Sequence, residues 1–327
     1  MNQANALPEL SVRTYVRHAL HAEDRNWSEK NCYGDLWIEF LHSQQLEPRA
    51  MLPFTLTVDF EGDQWTFYKP PLAELRDLYG IVVQEMTVWR PLLEHALEHL
   101  GAGRLICTEA DAFWLPDMAG SDYRRKHTKS TIMLVDIDAK QRRLGYFHNA
   151  GYYELRNEDF VKTFRLDEPH DPNHMPFFAE LVRIDRMHRR PEDQLAAMSM
   201  DLLRRHMAWR PSSNPFDRFG QRLAAEMPGW KEEGLARYHA WTFATVRQAG
   251  SAFELAAENL RWLSAHGQGD LIPAAERCEN IAAACKSLIL KGARAACSGR
   301  LFDVHAMLGP MARDWDEAMA LVGCSIY

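Results

Sequence analysis

The 327 residues contain no uninterrupted apolar stretch approaching the roughly 18 residues needed to cross a bilayer. The opening MNQANALPELSVRTYV has neither a basic start nor a continuous apolar core, so no secretory signal is expected. Basic side chains are outnumbered, 38 against 45 acidic ones, and the formal charge of −7 argues against general nucleic-acid binding. Gly101-Ala102-Gly103 lacks the remainder of a dinucleotide fingerprint, and there is no phosphate loop. Internal repeats and low-complexity tracts are missing too. Cysteine is sparse and unpatterned. Cys32, Cys107, Cys278, Cys285, Cys297 and Cys324 follow no zinc spacing, and a chain of this size has little need of disulfides. These absences lead to the expectation of a cytoplasmic protein without membrane attachment, nucleic-acid partner, metal or cofactor.

What is present suits a folded chain: 46% hydrophobic, 25% charged and 11% aromatic residues. The first half mixes patterns. Tyr33, Leu36, Trp37, Phe40 and Leu41 recur at helical spacing between Asn31 and His42. Further helices are expected over Leu72–Leu78 and Pro91–Leu100. Strands are expected over Pro53–Asp59, Arg104–Thr108 and Tyr152–Leu155, and Ile81–Val83 reads as a strand or the start of another helix. Ser130–Ile137 and Leu144–His148 read as an antiparallel hairpin. The proline-rich stretch Leu166–Pro176 reads as a linker. Beyond it the pattern is helical: Glu180–Arg189, Gln194–Trp209, Phe216–Met227, Lys231–Gln248, Ser251–His266, Pro273–Ala296 and Ala312–Val322. The expected fold is α+β, with an α/β domain over residues 1–168 and an all-helical domain over 169–327.

Cys32 is the most informative single residue. With Ser28 or Asn31 as a cap, it falls in the first turn of a helix, where free backbone N–H groups favour a thiolate and can hold an oxyanion. The plain alternative is a small buried thiol at a helix start. His127, in SDYRRKHTKS, stands directly before a β-run, a suitable mount for a general base; the alternative is an exposed loop histidine. Asn149, in YFHNAG, has the amide needed to fix the tautomer of His127, or is simply a turn residue before Gly151. His148 is expected on the opposite face from its neighbour. The order Cys, distant His, then Asn is that of papain-like enzymes.

Two other patterns carry less. His95-x-x-Glu98-His99 matches an inverzincin motif, but Leu92, Leu93, Ala96, Leu97 and Leu100 form that helix's apolar stripe and leave both histidines on the wet face. Arg183, Arg186, Arg189, Arg190, Arg204 and Arg205 read as solvated charge, or as a rim for an acidic partner.

NCYGDLWIEFL, Asp111 within ICTEADAFWLP, YRRKHTKSTIMLVDID and YFHNAGYYEL resemble the N-terminal domain of butirosin-biosynthesis-protein-H-like acyltransferases. Over nearly its whole length, including ATVRQAGSAFELAAENLRWL at 244–263, the chain resembles an uncharacterised bacterial family related to them, often encoded near amino acid:carrier protein ligases. The resemblance implies a papain-like fold and transfer of an aminoacyl or related group from a carrier-protein thioester to a small amine. Phosphopantetheine enters only as the carrier's arm. Cys32 then corresponds to the nucleophile and His127 to a motif histidine, while Asp111 matches a recurring aspartate of structural or orienting role. Many relatives have a second histidine where this chain has Ser130, which leaves the base role open. Asn31, Asp111, Ser130 and His148 are the candidate orienting or oxyanion residues. A papain-like hydrolase of an amide or thioester, and a non-catalytic carrier-binding scaffold, are the rival readings.

Overall fold

The computed structural model describes residues 2–168 and 177–326, and the chain divides into two compact units. The first comprises Met1–Ala22, Cys32–Glu47 and Leu72–Arg189; the second comprises Glu23–Asn31, Pro48–Pro71 and Arg190–Tyr327. Much of the expected linker Leu166–Pro176 lies outside the described residues.

In the first unit a seven-stranded antiparallel sheet is built from β1 (Gln3–Asn5), β4 (Val82–Glu85), β5 (Arg104–Asp111), β6 (Lys129–Asp138), β7 (Arg143–His148), β8 (Gly151–Arg156) and β9 (Ala179–Arg183). Its main path runs β4-β9-β5-β6-β7-β8, and β1 pairs with the far end of β6. The register of β6 against β7 shifts between Leu134 and Asp136. That irregularity coincides with a change of neighbour on the other edge of β6, from β5 to β1. The helices of this unit are α1 (Cys32–Ser43), α2 (Leu72–Tyr79), α3 (Leu92–Gly101) and α4 (Asn157–Thr163).

Directly opposed residues on neighbouring strands share a face of the sheet. Glu180, Cys107, Met133, Phe147 and Tyr152 therefore form one lateral row. Helix α1 lies on that face. The Tyr33 hydroxyl donates to Glu180 Oε2 at 2.7 Å, and the Phe40 ring meets Phe147 edge-on at 6.1 Å. The flank of α1 carries two buried acids, Asp35 and Glu39, bracketing the fully buried His21. His21 Nε2 lies 3.1 Å from Asp35 Oδ1, and Nδ1 meets Glu39, which also accepts from the Tyr15 hydroxyl and the His18 backbone N–H. Burial alone raises the Glu39 carboxyl, but the bond and charge of His21, with the Tyr15 and His18 donors, bring it below its ordinary value.

The second unit holds β2 (Phe60–Glu61), β3 (Gln64–Trp65) and the helices α5 (Glu192–Ala208), α6 (Pro215–Glu226), α7 (Trp230–Ala244), α8 (Val246–Ala265), α9 (Ile272–Ser298) and α10 (Val304–Ile326). Its core includes Trp65, Phe216, Phe219, Phe253 and Trp241, with Trp65 and Phe216 ring centres 4.9 Å apart. Among the described residues no helix is long and apolar enough to cross a membrane.

Three expectations need correction. Glu180–Arg189 is not a helix: its first residues form β9, which fills the place between β4 and β5. Leu181, Ile184 and Met187 imitate a helical stripe, but pairing on both sides wins. The division between the two units falls after Arg189, and the helical unit also claims two earlier segments. Pro53–Asp59 is mostly 3-10 helix (Pro48–Thr57), with the Thr55 and Thr57 hydroxyls donating to the Leu52 and Phe54 carbonyls at 2.7 and 2.8 Å. His95 is buried rather than wet. Its ring stands edge-on to Trp89 and parallel to His99 at 6.3 Å.

The His21 cluster yields an acid-limb prediction. A carboxyl held below its ordinary value stabilises the fold above that value and ceases to do so as pH falls through its folded pKa. Glu39→Gln should lose about 3 kcal/mol at neutral pH. Urea unfolding should show the gap from wild type closing as pH drops below the ordinary value of 4.5. A gap that stays constant with pH would show that the Glu39 charge contributes nothing.

Candidate active site

Cys32 is the first residue of α1 and is half-buried. Every member of the expected stripe behind it is buried, so packing on the sheet fixes the thiol-bearing end of the helix. Just before it, the Asn31 amide donates to the Tyr68 carbonyl at 3.0 Å. Asn31 thus has an anchoring bond beside its expected place near the thiol.

On β5, Asp111 stands four residues from Cys107, on the same face and roughly 13 Å along the strand. It opposes Lys129, two residues after His127. His127 Nδ1 lies 2.6 Å from Asp111 Oδ2, while Asp111 Oδ1 accepts the Phe113 backbone N–H at 3.0 Å. Phe113 also stacks on the imidazole, ring centres 4.4 Å apart and planes within 10°. One carboxylate therefore orients the ring and one aromatic face supports it. This arrangement places the proton on Nδ1 and leaves Nε2 as the acceptor. The His127 side chain is 70% exposed, and its Nε2 has no partner among the described residues.

The orienting residue is Asp111, not Asn149. Asn149 sits in the β7–β8 turn with φ 43°, and its amide faces Met118 Sδ at 3.3 Å. Turn geometry claims the residue, since asparagine tolerates the left-handed region better than most. Helix α1, which Cys32 begins, and the Asp111–His127 pair lie on the same face of the sheet, yet no hydrogen bond joins the thiol to any imidazole among the described residues.

His148 and Ser130 meet on the opposite face. Ser130 Oγ lies 2.6 Å from His148 Nε2, and His148 Nδ1 lies 2.5 Å from Asp117 Oδ2, whose second oxygen accepts from the Tyr146 hydroxyl. The order hydroxyl, imidazole, carboxylate is that of a serine triad. All of its members are buried, however, and both His148 nitrogens are engaged. It reads as an anchor for the turn at Pro116–Met118. Burial, and then the charge of Asp117, push the Tyr146 phenol well above its ordinary value.

A family model described as the DUF1839 N-terminal domain matches residues 16–184, and one described as the DUF1839 C-terminal domain matches 192–323. The chain belongs to the DUF1839 family. The two DUF1839 matches meet between the end of β9 and the start of α5, close to the division at Arg189. No curated protein matches the chain.

Sequence reasoning missed His21, Asp35, Glu39, Phe113 and Asp117. Asp35 and Glu39 did carry a signal: two acids four apart beside an apolar stripe require a buried partner. Among the described residues no group of three or more His, Cys, Asp or Glu side chains is arranged to hold a metal ion. Two members of the arginine run are locally paired, Arg183 with Asp185 at 3.1 Å and Arg204 with Asp201 at 2.6 Å.

All six cysteines are free, and their burial sorts them. Burial pushes the Cys278 and Cys285 thiols far up. Brief iodoacetamide treatment of native protein should alkylate Cys32, Cys297 and Cys324, as read by peptide mass spectrometry. Cys107, Cys278 and Cys285 should react only after denaturation. Protection of Cys32 equal to that of Cys278 would remove it from consideration as a nucleophile.

Proposed function

We propose that this DUF1839 chain is a cysteine-dependent acyltransferase with a papain-like N-terminal domain, moving an aminoacyl or related group from a carrier-protein thioester to a small amine. One observation carries the reading: a helix-initiating thiol and a carboxylate-oriented imidazole stand on one face of one sheet. In the first half-reaction His127 Nε2 takes the Cys32 proton, and the sulfur attacks the thioester carbonyl. The carbonyl–pantetheine sulfur bond breaks, and the departing thiolate collects the proton from His127. In the second, an amine attacks the Cys32 acyl-enzyme, gives a proton to His127 and releases the thiol. Backbone N–H groups of the first turn of α1 supply donors for the tetrahedral oxyanion. Thioester-to-thioester exchange is nearly balanced, so catalysis rests on positioning. The free cysteines suit a reducing, cytoplasmic setting.

Hydrolysis of a thioester or amide at the same residues is a second reading, favoured by the 70% exposure of His127, which admits water to the base.

Incubation with an aminoacylated carrier protein should add the aminoacyl mass to the peptide bearing Cys32. Added amines should then discharge the adduct faster than water does. Cys32→Ala should abolish the adduct, and Asp111→Asn should slow its formation by roughly 10²-fold or more while leaving the fold intact. An unmodified Cys32 across a panel of acyl groups would overturn the proposal, and discharge indifferent to amines would select hydrolysis.

A further inference from the structure

The second unit contains a cavity of about 320 Å³ that plays no part in the proposed reaction. Its lining comes from Trp27, from α7 and α8 through Phe243 and Arg247, and from α9 through Lys286 and Leu290. Its volume is at the small end of the range for small-molecule sites.

Two properties of this lining call for a ligand of defined chemistry. First, Arg247 and Lys286 face one space, and neither has a carboxylate within 4.0 Å among the described residues. Carbonyls hold them in place instead: Arg247 donates to Glu29 and Lys30 at 3.2 and 3.5 Å, and Lys286 donates to Asn26 at 3.0 Å. Carbonyls orient a cation without cancelling its charge, so two like charges remain to be neutralised. The guanidinium spends only part of its five-donor fork on these bonds. Second, the remaining walls, apart from His239 and Thr242, are apolar and partly preformed. Trp27 donates its indole N–H to the Ala282 carbonyl at 3.2 Å and packs on Gly250, where an added Cβ would sit 2.4 Å from the ring. Phe243 and Leu290 leave 52% and 58% of their surface exposed at the rim.

We infer that this cavity binds a small carboxylate bearing an aromatic or branched aliphatic body. The carboxylate sits between Arg247 and Lys286, and the body lies against Trp27, Phe243 and Leu290. Arginine suits it because the planar fork matches a carboxylate two bonds at a time, while lysine adds a point charge. Inorganic anions satisfy the charges but leave the aromatic wall wet; neutral apolar molecules do the reverse.

Calorimetric titration of the full chain with 4-phenylbutyrate tests this inference, with 4-phenylbutyramide and inorganic phosphate as comparators. The acid should bind saturably at sub-millimolar concentration, and the amide and phosphate each at least about tenfold more weakly. Arg247→Gln and Lys286→Gln should each weaken the acid by about tenfold or more. Leu290→Asp, a rim change that leaves both cations in place, should weaken it through repulsion, with thermal melts in all three variants close to wild type. Equal binding of acid and amide would overturn the inference. So would phosphate matching the acid, or an acid that never saturates.

Discussion

Helix α1 is held from two directions, and the position of Cys32 follows from both. Beneath it, Tyr33 and Phe40 sit on the row of side chains that crosses the sheet from Glu180 to Phe147. Beside it, His21 bridges Asp35 and Glu39 in a setting without solvent. Each attachment is costly to leave half made. An unpaired buried carboxylate on α1 would destabilise the fold by more than the intact cluster contributes to it. The helix therefore has little freedom to roll or slide, and the direction of its first turn is set by groups several turns away. A thiol can be presented in one orientation only when its helix is over-determined in this way.

His21, His127 and His148 of the first unit are each bonded to a carboxylate, and they divide by what remains of the ring. His21 has carboxylates on both nitrogens, and His148 has a carboxylate and a hydroxyl. His127 commits Nδ1 alone. A general base needs an unoccupied lone pair within reach of an incoming proton, so full satisfaction, which stabilises the other two, disqualifies them. Exposure is the complementary requirement. The Phe113 stack lets His127 remain ordered at the surface, where a side chain ordinarily samples several rotamers.

How far this was legible beforehand differs by element. The stripe of α1, the β6–β7 hairpin and the helical second half follow from periodicity, because local burial and local pattern agree there. β9 does not, since its alternation is short and its place in the sheet depends on partners some 70 residues away. Cys32 and His127 could be singled out from helix-start and strand-mouth positions. The partner of His127 could not be settled, because Asp111 reaches it through the β5–β6 register, a long-range property. Asn149 looked eligible for the same reason that it serves the turn: a short polar side chain suits both. The His21 cluster joins residues 14 and 18 positions apart and follows no motif.

The two polar systems on opposite faces of the sheet complete one device. His127 hangs from the first residues of β6, and Ser130, three residues on, points to the other side. There Ser130 is tied through His148 to Asp117 and Tyr146, so the start of β6, the end of β7 and the turn at Pro116–Met118 are joined by buried bonds. Across β6, Asp111 at the end of β5 holds the imidazole itself. An imidazole on a fraying strand end would lose its direction within a rotamer hop. Pinning the strand from behind removes that motion at no loss of access in front. Ser130 thereby anchors the start of β6 and takes no part in holding the His127 ring.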